Sequence, residues 1–187
     1  MKSANRIASL SDLEIGKSQT VLNLTAVPVS GNPASSLDYL LVDDALVAEK
    51  VVVEEVSEGG SVPELRMTNF TNRFILVVDG TELVGAKQNR IVNASFLIPP
   101  ESITKLPVSC VEQGRWQYRG REFRASKHFS PHSIRRENVE FHKTTLKQRR
   151  GYATDQGKVW DCVADMSHRR EAPTPTGAMN EVMEQKQ

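Results

Sequence analysis

Phe74-Ile75-Leu76-Val77-Val78-Asp79-Gly80-Thr81-Glu82-Leu83-Val84-Gly85 is the stretch on which the fold turns. Two apolar runs flank Asp79-Gly80, and aspartate-glycine tolerates the positive φ that a tight hairpin turn needs at its centre. The pattern predicts a strand over 74–78, a hairpin turn, and a returning strand opening at 82–85. Working back from there, Leu65 to Asn69 reads as another strand, and residues 51–56 (VVVEEV) are dense in β-branched valine, which packs well on a pleated surface. Residues 37–42 (LDYLLV) form an earlier strand, and Asp43-Asp44 are placed to cap a short helix reaching about Lys50. Residues 22–29 (LNLTAVPV) alternate in part and stop at Ser30-Gly31-Asn32-Pro33, which supplies turn geometry.

Downstream, residues 91–98 (IVNASFLI) read as one strand stopped by Pro99-Pro100, and 103–112 closes the series. Short strands at this spacing favour a sandwich or barrel over alternating βαβ units. The expected class is therefore α+β: a mainly antiparallel β core, sandwich-like or barrel-like, with C-terminal helices. Residues 1–20 read as an N-terminal tail and 21–116 as the strand-rich core, with Val51, Val53, Ile75, Val77, Ile91 and Leu97 inside. Residues 117–155 are basic, with few apolar side chains to offset ordering entropy, and are expected to be mobile. Within them Ser130-Pro131 resembles a helix start. Asp155 is placed to cap a helix through about His168 that sets Val159, Trp160, Val163 and Met166 at helical spacing, and a further helical pattern follows from Thr176 within 156–187.

The 187 residues are enough for one domain with a real core. No run approaches the roughly 18 apolar residues of a membrane span, and the N-terminus lacks the apolar centre of a secretory signal, so a cytoplasmic protein without membrane association is expected. Cys110 and Cys162 are the only cysteines, too few for a disulfide framework. Between 114 and 150 stand eleven lysines and arginines against three acids, a net +8 that leaves −7 elsewhere. Such asymmetry points to a face that meets anions.

Two polar clusters interrupt the strands. In the first, Glu82 precedes Lys87-Gln88-Asn89-Arg90 across Gly85-Ala86, where small residues permit close approach. Strand alternation would put Glu82, Gln88 and Arg90 on one face and Lys87 and Asn89 on the other. Arginine forks onto phosphate, lysine adds a point charge, and amides read hydroxyls or a base edge. A polar turn with a solvated face would look the same. The second cluster is Cys110-Val111-Glu112-Gln113-Gly114-Arg115-Trp116, where alternation sets a thiol, a carboxylate and an aromatic platform on one side. A nucleophilic cysteine needs a histidine or a positive environment, and a buried small hydrophobe is the competing reading. A metal site is not expected: there is no Cys-x-x-Cys, and Pro131 separates the helix-spaced His128 and His132. No cofactor is implied.

The run VDGTELVGAKQNRIVNASFLIPPESITKLPVSCVEQGRW resembles the core of the ADP-ribosylglycohydrolase- and rhodanese-phosphatase-associated protein domain family, an uncharacterised domain linked to NAD and ADP-ribose metabolism by gene association. The resemblance implies a ligand class, ADP-ribose, NAD-derived or related phosphorylated nucleotides, more than a reaction. It marks Glu82, Lys87, Gln88, Asn89, Arg90, Cys110, Glu112, Arg115 and Trp116 as site candidates. With the residue chemistry, Cys110, Glu112 and Glu82 are the catalytic candidates, and Lys87, Gln88, Asn89, Arg90, Arg115 and Trp116 the ligand-binding ones. The resemblance also implies a glycine-containing apolar strand and a further helix past the last helix; ending at Gln187, the chain reads as a shortened member or an excised piece. Two other functions compete: a nucleic-acid-binding module using 114–150, where aromatics interleave with cations, and a truncated, non-catalytic interaction domain. The oligomeric state is not legible.

Overall fold

The computed structural model describes residues 13–31 and 37–185. Most of the expected N-terminal tail, and the Asn32-Pro33 part of the first turn, lie outside the described residues. The chain divides into two units, Met1–Asp38 and Tyr39–Gln187. In the first, β1 (Leu13–Ile15) pairs antiparallel with β4 (Val29–Gly31), and β2 (Gln19–Val21) with β3 (Leu24–Ala26). The ladder is one interrupted hairpin, its gap bridged by the Gly16 amide donating to the Pro28 carbonyl at 2.8 Å.

The second unit carries the core. Its strands are β5 (Tyr39–Leu41), β6 (Val51–Glu55), β7 (Glu64–Asn69), β8 (Phe74–Val77), β9 (Thr81–Gly85), β10 (Arg90–Val92), β11 (Phe96–Ile98), β12 (Ser102–Cys110) and β13 (Phe123–Phe129). Six of them form an antiparallel sheet in the order β13-β9-β10-β12-β7-β6. That sheet curls until its two edges approach, and an isolated bridge between Glu54 and Glu122 ties them. The result is a half-barrel. A three-stranded sheet, β11-β8-β5, lies beside it, with β5 running parallel to β8. The expected α+β class with an antiparallel, barrel-like core is therefore the observed one.

Alternation decides the interior. Val51, Val53 and Glu55 of β6, Leu65 and Met67 of β7, Ile75 and Val77 of β8, and Leu106 and Val108 of β12 are all buried, and all but Glu55 join one apolar cluster. The outer face of the six-stranded sheet is covered by α2 (His132–Thr145), α3 (Gln156–Arg169) and α4 (Met179–Glu184), which bury Ile91 and Val111 under Ile134, Val159, Val163, Met179 and Val182. Asp155 caps α3 as its sequence suggests, accepting from the Lys158 amide at 3.3 Å. α2 starts one residue later than Ser130-Pro131 implied, with Pro131 at the cap position. In α1 (Val42–Val47) Asp43 and Asp44 occupy the first turn, and Leu41 is the cap residue without a side-chain bond. The basic segment 117–155 thus contains β13 and α2.

Three expectations need correction. Asp79-Gly80 is a turn, with the Thr81 amide donating to the Val78 carbonyl at 3.0 Å, but β8 and β9 do not pair. It is a corner at which the chain leaves one sheet for the other. Residues 91–98 likewise form two strands, because β10 pairs with β12 while β11 pairs with β8. Leu97, expected in the core, is 42% exposed, because Phe96 and Ile98 take the inward positions around it.

Candidate functional site

Strand register sorts the polar residues by face, since residues directly opposite in an antiparallel pair point to the same side. Arg90 lies opposite Leu83 on one side and Cys110 on the other, and Leu83 belongs to the half-barrel interior. Arg90 and Cys110 therefore face inward at one end of the half-barrel. Glu82 lies opposite Ile91, whose side chain is under the helices. Glu82 and Arg90 are on opposite faces, contrary to simple alternation, because the chain reverses through Gly85 (φ 144°) and Ala86 (φ 35°). Gly85 is required there: a Cβ would stand 2.5 Å from the Glu122 carbonyl oxygen.

The two clusters meet at the reversal. Glu112 is fully buried, and its carboxylate accepts from Arg115 Nε (2.8 Å), the Thr176 hydroxyl (2.9 Å), Arg115 NH2 (2.6 Å) and the Asn89 amide (3.0 Å). A carboxylate offers about four acceptor sites, and these fill them. Burial would raise this carboxyl, but the bonds from Arg115, Asn89 and Thr176 outweigh it and hold it below the ordinary glutamate range. A saturated, low-pKa carboxylate is poorly suited to act as a general base. Arg115 is equally committed. Beyond Glu112 it donates to the carbonyls of Ala86 (2.6 Å), Gln117 (2.7 Å) and Gly85 (3.2 Å) and to Asn89 Oδ1 (3.2 Å). No guanidinium N–H is left over for a ligand phosphate. Asn89 donates its side-chain amide to Asn180 Oδ1 at 2.9 Å, and Gln88 donates to the Glu112 carbonyl at 2.8 Å. Glu112, Arg115 and Asn89 form a latch joining the 85–90 reversal, the 112–117 loop and the segment before α4.

Two further catalytic candidates are buried. The Cys110 thiol is enclosed and faces the Glu112 carbonyl at 3.4 Å, and burial pushes its pKa up, away from the thiolate a nucleophile needs. Its backbone is held by Gln156, whose side-chain amide both accepts from Cys110 N and donates to Cys110 O at 2.8 Å. Glu82 is shut beneath α4. Burial raises its carboxyl to about 7, Ser126 and the Asn180 amide beside it pull the other way, and Glu184 and Glu112 add to the rise. Neither Glu82 oxygen completes a well-formed hydrogen bond.

The remaining candidates gather at the mouth of the half-barrel. Arg90 is fully buried, with NH1 donating to Gln88 Oε1 at 2.8 Å, while Nε and NH2, one complete bidentate edge, have no hydrogen-bond acceptor. The Trp116 ring covers the guanidinium at 5.6 Å and is itself 45% exposed. Lys87 Nζ lies 5.2 Å from the Trp116 ring and 5.0 Å from Tyr118, donating to the Gly59 carbonyl at 2.8 Å. Gly60 makes room at φ 76°: a Cβ there would stand 3.2 to 3.4 Å from Lys87, Trp116 and Glu55. Beside this group a cleft of 680 Å³ follows the seam of the half-barrel, lined by residues 54–58, Arg66, Tyr118, Gly120 and Arg121. Glu55, absent from the sequence-based candidates, lies 3.7 Å from Arg90. Its signal was available: it occupies the inward position after Val51 and Val53.

Among the described residues no group of three or more histidine, cysteine or acidic side chains is placed to hold a metal, and no helix is long and apolar enough to cross a membrane. The site thus defines a mixed α+β domain with a latched polar cluster at the mouth of an antiparallel half-barrel. Residues 12–187 match the ARG and Rhodanese-Phosphatase-superfamily-associated Protein domain, ARPP-1, and the chain belongs to that family. Neither the curated proteins nor the solved structures contain a match to it.

Proposed function

We propose that the domain binds a phosphorylated nucleotide of the ADP-ribose or NAD-derived class at the mouth of the half-barrel. The observation that carries this is the unused Nε–NH2 edge of Arg90, oriented by Gln88 through NH1 and roofed by Trp116. That edge is the fork that matches phosphate oxygens, and a partly exposed indole beside it is a platform for a base. Lys87 adds a second cation. Trp116 rests on Lys87 and Arg90 through ring–cation contacts, worth about 0.5–2 kcal/mol each, weak enough to part when a ligand enters. The family's association with ADP-ribosyl systems agrees with this ligand class.

Isothermal titration of ADP-ribose, NAD and inorganic phosphate tests the reading. Arg90→Lys keeps the charge but loses the fork, and should weaken nucleotide binding about tenfold or more. Trp116→Ala, at an exposed position that should not endanger folding, should weaken the nucleotides and leave phosphate nearly unchanged. The reading fails if the wild-type domain binds none of the three, or if both variants bind like wild type.

A further inference from the structure

We infer that Glu55 is the specificity residue of this mouth and selects ligands carrying a free vicinal diol, as on a ribose, next to the phosphate; this rests on the reading above. Glu55 ends β6, where the inward positions run Val51, Val53, Glu55. A third valine would continue the core, and a carboxylate stands there instead, 6% exposed, with neither oxygen hydrogen-bonded. Among the described residues its ionic neighbour is Arg90 NH2, 3.7 Å away and beyond hydrogen-bond reach. Two other cations are turned elsewhere: Arg66 to Glu54 at 2.9 Å, and Lys87 to the Gly59 carbonyl at 2.8 Å. A buried charge that is paired but not hydrogen-bonded is a costly arrangement, and the missing element is a donor.

Charge decides which donor fits. An ammonium group on Glu55 would sit against the Arg90 guanidinium, and a phosphate on Glu55 would be repelled by the carboxylate. A neutral donor suffers neither penalty. Two adjacent hydroxyls can bond both carboxylate oxygens, as when an acidic side chain holds a ribose in dinucleotide sites. The cation edge and the acceptor, 3.7 Å apart, thus make a composite receptor: phosphate on Arg90, hydroxyls on Glu55.

The test compares matched ligands on the whole domain: ADP with 2′,3′-dideoxy-ADP, and ribose 5-phosphate with 2-deoxyribose 5-phosphate. For each pair in which the diol form binds, removing the diol should weaken wild-type binding about tenfold, the scale of a hydrogen bond to a charged group. In Glu55→Gln that discrimination should fall to less than about threefold, while inorganic phosphate should bind at least as tightly as to wild type. Equal wild-type affinity for diol and diol-free ligands overturns this inference and leaves phosphate binding at Arg90 standing, and the comparison needs no variant to fold. Discrimination that survives in Glu55→Gln also overturns it. If no phosphorylated ligand binds, ADP-ribose included, the functional reading falls and this inference with it.

Discussion

Arg115 grips the Glu112 carboxylate with Nε at 2.8 Å and NH2 at 2.6 Å, and both side chains are at least nine-tenths buried. The pair is anchored from outside as well, by Thr176 and Asn89 on the carboxylate and by the Gly85 and Ala86 carbonyls on the guanidinium. Its geometry is that of a brace, whereas Arg90 keeps its Nε–NH2 edge without an acceptor among the described residues.

Breaking the brace should therefore cost stability first. Removing one member of a buried, hydrogen-bonded ion pair strands the other, so Arg115→Ala should lose about 3–5 kcal/mol in urea denaturation. Arg115→Lys should recover little of it, because an ammonium cannot span Glu112 and three backbone carbonyls together. If Arg115→Lys melts like wild type, the brace contributes little.

Glu82 sets a pH dependence. Below its ordinary value of 4.5 the carboxyl is protonated both folded and unfolded, and burial costs nothing. From 4.5 to about 7 the unfolded chain releases a proton that the folded chain retains, so this group's contribution declines as pH rises, and above about 7 the full penalty persists. A shift of this size is worth about 3 kcal/mol. Glu82→Gln should match wild type near pH 4 and be the more stable protein at pH 8. Chemical denaturation at both values, with α4 followed by amide exchange, checks the sign.

Gly85 and Gly120 share φ 144°, but only Gly85 would drive a Cβ into backbone, 2.5 Å from the Glu122 carbonyl oxygen; nothing lies within 4 Å at Gly120. Gly120→Ala thus measures backbone strain alone, about 1–3 kcal/mol. Gly85→Ala should exceed it clearly in thermal denaturation. Equal losses would mean that β13 yields easily at Glu122.

Cys110 should resist modification. Its thiol is enclosed, whereas Cys162 is partly exposed, so a maleimide reagent should label Cys162 first and Cys110 only on unfolding. Cys110→Ser should leave ligand affinity unchanged in titration. Fast labelling of Cys110 in the folded protein would return it to the list of nucleophile candidates.

Much of this was legible from residue patterns. Valine alternation at 51–53 and the capping aspartate at 155 act over a few residues, so the strand and the helix start follow from local sequence. Asp79-Gly80 specifies a bend but not what the bend joins; the ladders that place β8 and β9 in different sheets come from β5, β11, β10 and β13. The polar residues of 87–90 and 112–115 do meet, but their faces were misjudged because Gly85 and Ala86, both at positive φ, break the alternation. Thr176 and Asn180, which complete the latch, stand 64 and 91 residues from their partners Glu112 and Asn89, a separation at which spacing carries no signal.

The corner at Gly80 also governs the order in which the domain can assemble. β8 cannot fold back on the strand that follows it; it must find Leu41 behind it and Leu97 ahead of it. Each such closure costs loop entropy before any contact repays it, which places folding in the slow regime of non-local β topologies, roughly milliseconds to seconds. During synthesis, at about 5–20 residues per second, the Ile75-Leu76-Val77 edge leaves the ribosome before β11 emerges to cover it. For that interval the nascent chain presents an unpaired apolar strand, and engagement by a holdase chaperone should concentrate there.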